Sequence, residues 1–195
     1  MEITAVFYPK NRTEWREWLQ DNHQNASEIW LLTYNKASGR PSLPYDDMVE
    51  ECLCFGWIDG LVKKYDDAGK VQRITPRKKK TFLSELNRQR IWKLQHLGLM
   101  TDAGVAPISH QIGLPTDLMP VPEWIEERLK NEGVWEAFSA FPRLYQRLKI
   151  GWIAEIGPGI YRQPEAEKRL TWLIKMTRQG KRYGTEPLVD WYDFL

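Results

Sequence analysis

A chain of 195 residues with 42% hydrophobic content and ten tryptophans can bury a core as one or two compact units, and this composition argues against disorder. The formal net charge is +2, and no run approaches the ~18 apolar residues of a membrane span. The opening, MEITAVFYPKNRTEW, lacks the basic start and apolar stretch of a secretory signal, so the expected location is cytoplasmic.

In chain order, Thr13 is placed to cap a helix whose apolar positions are Trp15, Trp18 and Leu19. Glu28 to Asn35, EIWLLTYN, has the β-branched and aromatic content of a buried strand. Pro41 and Pro44 punctuate the loop that follows. Tyr45, Met48, Val49, Cys52 and Leu53 form an amphipathic helical stripe, with Asp46, Asp47, Glu50 and Glu51 expected on the outer face and Gly56 at the end. Trp57 to Tyr65 and Val71 to Thr75 predict a hairpin across Asp66 to Gly69. A helix over about Phe82 to Leu97 has Leu83, Leu86, Leu94 and Leu97 as its inward stripe, with Ser84 near its start.

These elements predict an α+β domain over 1–105, with a small antiparallel sheet packed with helices. Residues 106–121, carrying Pro107, Pro115 and Pro120, read as a linker. An all-helical region is expected over 122–184: Pro122, Pro142 and Pro164 each stand at a helix start, and Leu170, Leu173, Ile174 and Thr177 give the last helix its apolar face. Residues 185–195 form an aromatic acidic tail, in which Trp191, Tyr192, Phe194 and Leu195 alternate with Asp190 and Asp193. Such a tail is expected to dock on the body or on a second subunit.

Charge is uneven. From Leu61 to Lys93 there are eleven Lys or Arg against three acids, which points to an anion facing this stretch or to a solvated face. Arg90 and Asn87 fall on the apolar stripe of their helix. A guanidinium there must snorkel outward, meet an acid, or meet an anionic ligand, since desolvating it costs several kcal/mol. Asp59, just after Trp57-Ile58, is the candidate partner. Trp57, Asp59, Arg73, Arg77, Asn87 and Arg90 are therefore the candidate ligand-binding residues, and Lys78, Lys79 and Lys80 are candidates for contacting nucleic-acid phosphates.

No catalytic set is recognisable. Cys52 and Cys54 lie two apart on a helix and face different ways, which suits neither a disulfide nor a metal site, and the negative helix end raises the Cys54 thiol pKa. His23, His96 and His110 lack ligand spacing and read as surface or capping residues. Gly104 and Gly113 read as turn glycines. Neither a GxGxxG motif nor a Walker loop is present, so no cofactor is expected.

Three strings, SGRPSLPYDDMVEECLCFGWIDG, TPRKKKTFLSELN and GLMTDAG, resemble the signature blocks of the YdeI/OmdA family of bacteriocin-protection, or OmpD-associated, proteins. Phe138 to Tyr183 is similar to that family's helical tail domain, although GWIAEIGPGIYRQPEAEKR stands where the family runs AK-x-x-ETR-x-x-R. The resemblance implies a soluble bacterial protein linked to stress or bacteriocin tolerance, and it carries over no catalytic residue. The resulting expectation is a binding protein for a small anion or an acidic partner. Two alternatives stand beside it: an enzyme with a pocket of Trp57, Asp59, Asn87 and Arg90, and a nucleic-acid binder acting through Arg77 to Lys80.

Overall fold

The computed structural model describes residues 2–113, 120–154 and 163–184. The expected tail over 185–195 and most of the junction after Ala154 lie outside the described residues. The chain divides into two compact units: residues 1–83 with 90–113, and residues 84–89 with 114–195.

The first unit opens with β1 (Val6–Phe7), α1 (Arg12–Asn22) and β2 (Ile29–Tyr34). Asn11, not Thr13, caps α1, its side-chain oxygen accepting from the Glu14 amide at 3.0 Å. The α1 crossover returns the chain alongside β1, so β1 pairs parallel with β2, and the sheet is mixed where a purely antiparallel one was expected. Then come α2 (Tyr45–Cys54), β3 (Trp57–Lys64) and β4 (Gly69–Pro76), with β3 and β4 forming the expected hairpin. The strand order is β1-β2-β4-β3. Ile29, Trp30, Leu31 and Leu32 are all buried, so both faces of β2 are covered. Together with the helices, this is an α+β architecture.

Next in sequence is α3 (Glu85–His96), whose first residues, up to Gln89, group with the second unit and the rest with the first. Ser84 stands at its start, where its hydroxyl accepts from the Asn87 amide at 3.3 Å. Its inward side differs from the helical-wheel expectation. Ile91 and Trp92 are buried beside Leu94, whereas Leu97 is 54% exposed because the helix ends at His96 and Gly98 turns the chain with φ +66°. The first unit closes with α4 (Asp102–Val105) and α5 (Ser109–Ile112). Ile108 and Ile112 are buried, so residues 106–113 are folded into this unit although a linker was expected to begin at 106.

The second unit contains α6 (Glu123–Asn131), α7 (Trp135–Ser139), α8 (Arg143–Ala154) and α9 (Gln163–Arg178), and its described residues are helical as expected. Ile125, Leu129, Phe138, Ile153, Leu170 and Leu173 make its core. Buried Glu85 accepts from Arg147 and Arg88, and from Gln89 at 2.6 Å, so a carboxylate inside this unit is fully answered. Among the described residues no helix is long and apolar enough to cross a membrane.

Candidate functional site

The acids of α2 pair with most of the cations around it. Expected on an outer face, Glu50 and Glu51 are instead buried, at 4% and 1% exposure. α1 brings Arg12 and Arg16 to them. Arg12 donates to Glu50 at 2.7 Å and to Glu51 at 2.6 Å, and Arg16 donates to Glu51 at 2.7 Å. Lys93 of α3 reaches Glu50 at 2.8 Å. Burial alone would raise the Glu50 pKa, but Lys93 and Arg12 outweigh it and hold the carboxyl below its usual range. This belt ties α1 and α3 to α2.

Arg90 belongs to the same belt. It is buried, and the acid it meets is Asp46. Asp59, proposed as its partner from the sequence, accepts instead from the Tyr45 hydroxyl at 3.0 Å and from Gln72 at 2.7 Å. The reason is the hairpin register: Asp59 stands opposite Ile74 on β4, within reach of Gln72, while Tyr45 opens α2 above it. Arg73 pairs with Glu28, which also accepts from Thr4 at 2.6 Å. Asn87 falls in the second unit, whereas Trp57, Asp59, Arg73, Arg77 and Arg90 fall in the first.

Arg77 is different. It follows β4, its amide donating to the Gly56 carbonyl at 2.8 Å, and its side chain is only 7% exposed. One guanidinium nitrogen, Nη1, donates to the Phe82 carbonyl at 3.2 Å, while Nε has no partner. Among the described residues it makes no ion pair. Burial pulls its pKa down, opposed mainly by the field of Asp59.

Arg77 lines an open depression of about 350 Å³ in the first unit. Two close approaches shape it. Gly56 has φ +72°, and a Cβ there would sit 2.2 Å from the Ala103 carbonyl oxygen; a Cβ on Gly104 would sit 2.3 Å from that of Cys54. Gly104 is therefore a contact glycine of α4, not the turn glycine expected. Thr101 completes the seam, its amide and hydroxyl both donating to the Cys54 carbonyl, at 3.1 and 2.6 Å. Residues of CFGWIDG, TPRKKK and GLMTDAG thus meet at one place.

The walls are mostly apolar. Phe55, Trp57 and Pro76 stand on one part, Ala103, Ala106 and Pro107 on another, with His23, Gln24 and Lys79 completing the lining. The Trp57 indole is buried and donates to the His23 carbonyl at 3.3 Å. The His23 ring lies 5.2 Å from that of Phe55, and its Nδ1 meets the Leu19 carbonyl at 2.8 Å, the capping role expected of it. Lys78, Lys79 and Lys80 are exposed, so the basic run divides into one buried arginine and three solvated lysines.

Of the sequence candidates, Trp57, Arg77 and Lys79 meet at the depression, while Asp59, Arg73 and Arg90 are not among its lining residues. His23, Phe55, Ala103 and Pro107 were missed; the GLMTDAG string was the available signal for Ala103. Cys52 and Cys54 are buried and free, and burial pushes the Cys54 thiol up to about 11. Among the described residues no cluster of acids, histidines and cysteines could hold a metal ion.

A model of the family described as Domain of unknown function (DUF8412) matches residues 7–107, just over half of the chain. All the residues lining the depression lie inside that match. No curated protein and no solved structure matches the chain.

Proposed function

We propose a binding function for this chain, which belongs to the family described as Domain of unknown function (DUF8412): the depression around Arg77 captures a small anion. The observation that supports this reading is a buried guanidinium with no carboxylate partner, lining an open cavity. Its neighbours in the same unit show the contrast, since Arg12, Arg16, Arg73, Arg90 and Lys93 all meet acids. Desolvating a cation costs several kcal/mol, and an anion in the depression would offset that cost with charge-assisted hydrogen bonds. In this reading the protein is a cytoplasmic binder of the YdeI/OmdA type, and its link to stress or bacteriocin tolerance runs through the bound anion.

The test is Arg77→Met. Removing an unpaired buried charge should leave the unliganded protein as stable as before or more so, while removing the stabilisation that small anions give the wild type. Thermal melts with and without added anion read both effects. A large loss of stability without anion would show Arg77 to be a structural residue and would end the proposal.

A second reading follows from the exposure of Lys78, Lys79 and Lys80: the rim contacts the phosphates of a nucleic acid. Affinity would then fall steeply with salt, and neutralising the three lysines would flatten that slope. Absence of measurable binding to single- or double-stranded nucleic acid at about 50 mM salt would leave the small-anion reading alone.

A further inference from the structure

Resting on the anion reading of the Arg77 depression, we infer that its ligand is a monocarboxylate on a flat apolar body, not a phosphate. The first argument is the supply of donors. A phosphate dianion presents several acceptor oxygens and is held where backbone amides and multiple cations converge. Three of the amides around Arg77 are already engaged: Gly56 with Leu53 at 3.3 Å, Arg77 with Gly56 at 2.8 Å, and Gly104 with Thr101 at 3.0 Å. Arg77 is the one buried cation of the lining, and its Nη1 is held by Phe82. One guanidinium balances one negative charge, and its planar edge matches the two coplanar oxygens of a carboxylate.

The second argument is the wall chemistry. Pro76, Ala103, Ala106 and Pro107, backed by buried Phe55 and Trp57, present carbon, which gives a phosphate nothing to bond and gives an aromatic or aliphatic body an area to cover. The third is size. A depression of about 350 Å³ has room for a one- or two-ring body beyond the acid group, space that an inorganic anion leaves wet. Fixing the acid at Arg77 therefore lays the body along the apolar wall.

The experiment is an amide-resolved NMR titration of the full chain with benzoate, 2-naphthoate, inorganic phosphate and neutral benzamide. Benzoate should shift amides around Gly56 and Ala103, 2-naphthoate should bind severalfold tighter, and phosphate should be at least tenfold weaker than benzoate. Benzamide should be at least tenfold weaker as well. Arg77→Met should abolish carboxylate binding. Ala106→Phe, at an exposed lining residue, should weaken 2-naphthoate at least tenfold and keeps the test decisive if the arginine variant does not fold.

Phosphate binding as tightly as benzoate would overturn the carboxylate inference while leaving the anion site standing. Benzamide matching benzoate would overturn both. No site-specific shift from benzoate, 2-naphthoate or phosphate up to about 10 mM, a concentration that detects millimolar affinity, would also remove both.

Discussion

Arg77 in the first unit and Lys149 in the second are both buried cations that meet no carboxylate among the described residues, and their surroundings answer them in different ways. Lys149 is 5% exposed, and its ammonium lies 3.8 Å from the centre of the Tyr183 ring, with the Tyr145 and Trp152 rings at 5.3 and 5.6 Å. Three ring faces stand where an anion would otherwise be needed. Arg77 has one carbonyl and an open depression. Burial of a charge therefore does not by itself mark a site. What faces the charge decides: fixed rings offset part of the cost of burying Lys149, and open space beside Arg77 leaves room for an anion.

The largest effect that bears on this contrast belongs to the paired cations of the α2 belt. Glu51 is buried and accepts from both Arg12 and Arg16, so Glu51→Ala leaves Arg16 without its acid and Arg12 with only Glu50 and Asp47. The expected loss is about 3 kcal/mol in urea unfolding, the low end for breaking a buried pair, because both arginines keep some contact with solvent. Arg77→Met should cost nothing comparable. If both substitutions cost the same, Arg77 is held by its surroundings as firmly as Arg12, and the distinction between answered and unanswered cations fails.

The next effect is a pH dependence at Lys149. Burial lowers its pKa from 10.5 to about 8, while the surrounding ring faces favour the charged form and work against that shift. Between about 8 and 10.5 the unfolded chain keeps a proton that the folded chain has released. The unfolded state thus binds more protons there, and stability rises with pH across that window, by up to about 3 kcal/mol. Below pH 8 both states are protonated and the full cost of the buried charge is present. Lys149→Met should be more stable than wild type at pH 7 and should lack the rise. A wild-type curve that is flat from pH 8 to 10.5 would show that the rings hold the ammonium fully charged, which sharpens the contrast with Arg77 from the other side.

Local pattern carried the fold further than it carried the site. The hairpin, the α2 stripe and the proline-led helices are encoded within a few residues each, and they stand where periodicity and turn chemistry put them. The pairing of Arg90 is a tertiary fact. Its position on an apolar stripe correctly required a partner, but the choice of Asp46 over Asp59 depends on how α2 lies against α3, which no spacing records. Glu50 and Glu51 were misplaced for the same reason, because a helical wheel sees one helix and not the arginines that α1 delivers. Arg77 sat inside a run of four basic residues whose ordinary reading is a solvated face. Only the seam of Gly56 on Ala103 and of Gly104 on Cys54 shows why the first of the four is buried and the other three are not.

The smallest effect separates the rim of the depression from its interior. Lys79 lines the opening and is exposed, so its field reaches an approaching anion through water and salt. At low ionic strength, Lys79→Gln should weaken a carboxylate ligand by about twofold, mainly through slower association. The difference should vanish near 1 M salt, where the screening length falls to about 3 Å. Arg77, buried to 7% exposure at the inner side of the depression, is screened less, so the loss in Arg77→Met should persist at high salt. Titrations of the two variants at low and high ionic strength separate these behaviours. Equal salt sensitivity in both would place Arg77 electrically at the surface, and the contrast between a cation answered by rings and one awaiting an anion would then reduce to a difference in exposure.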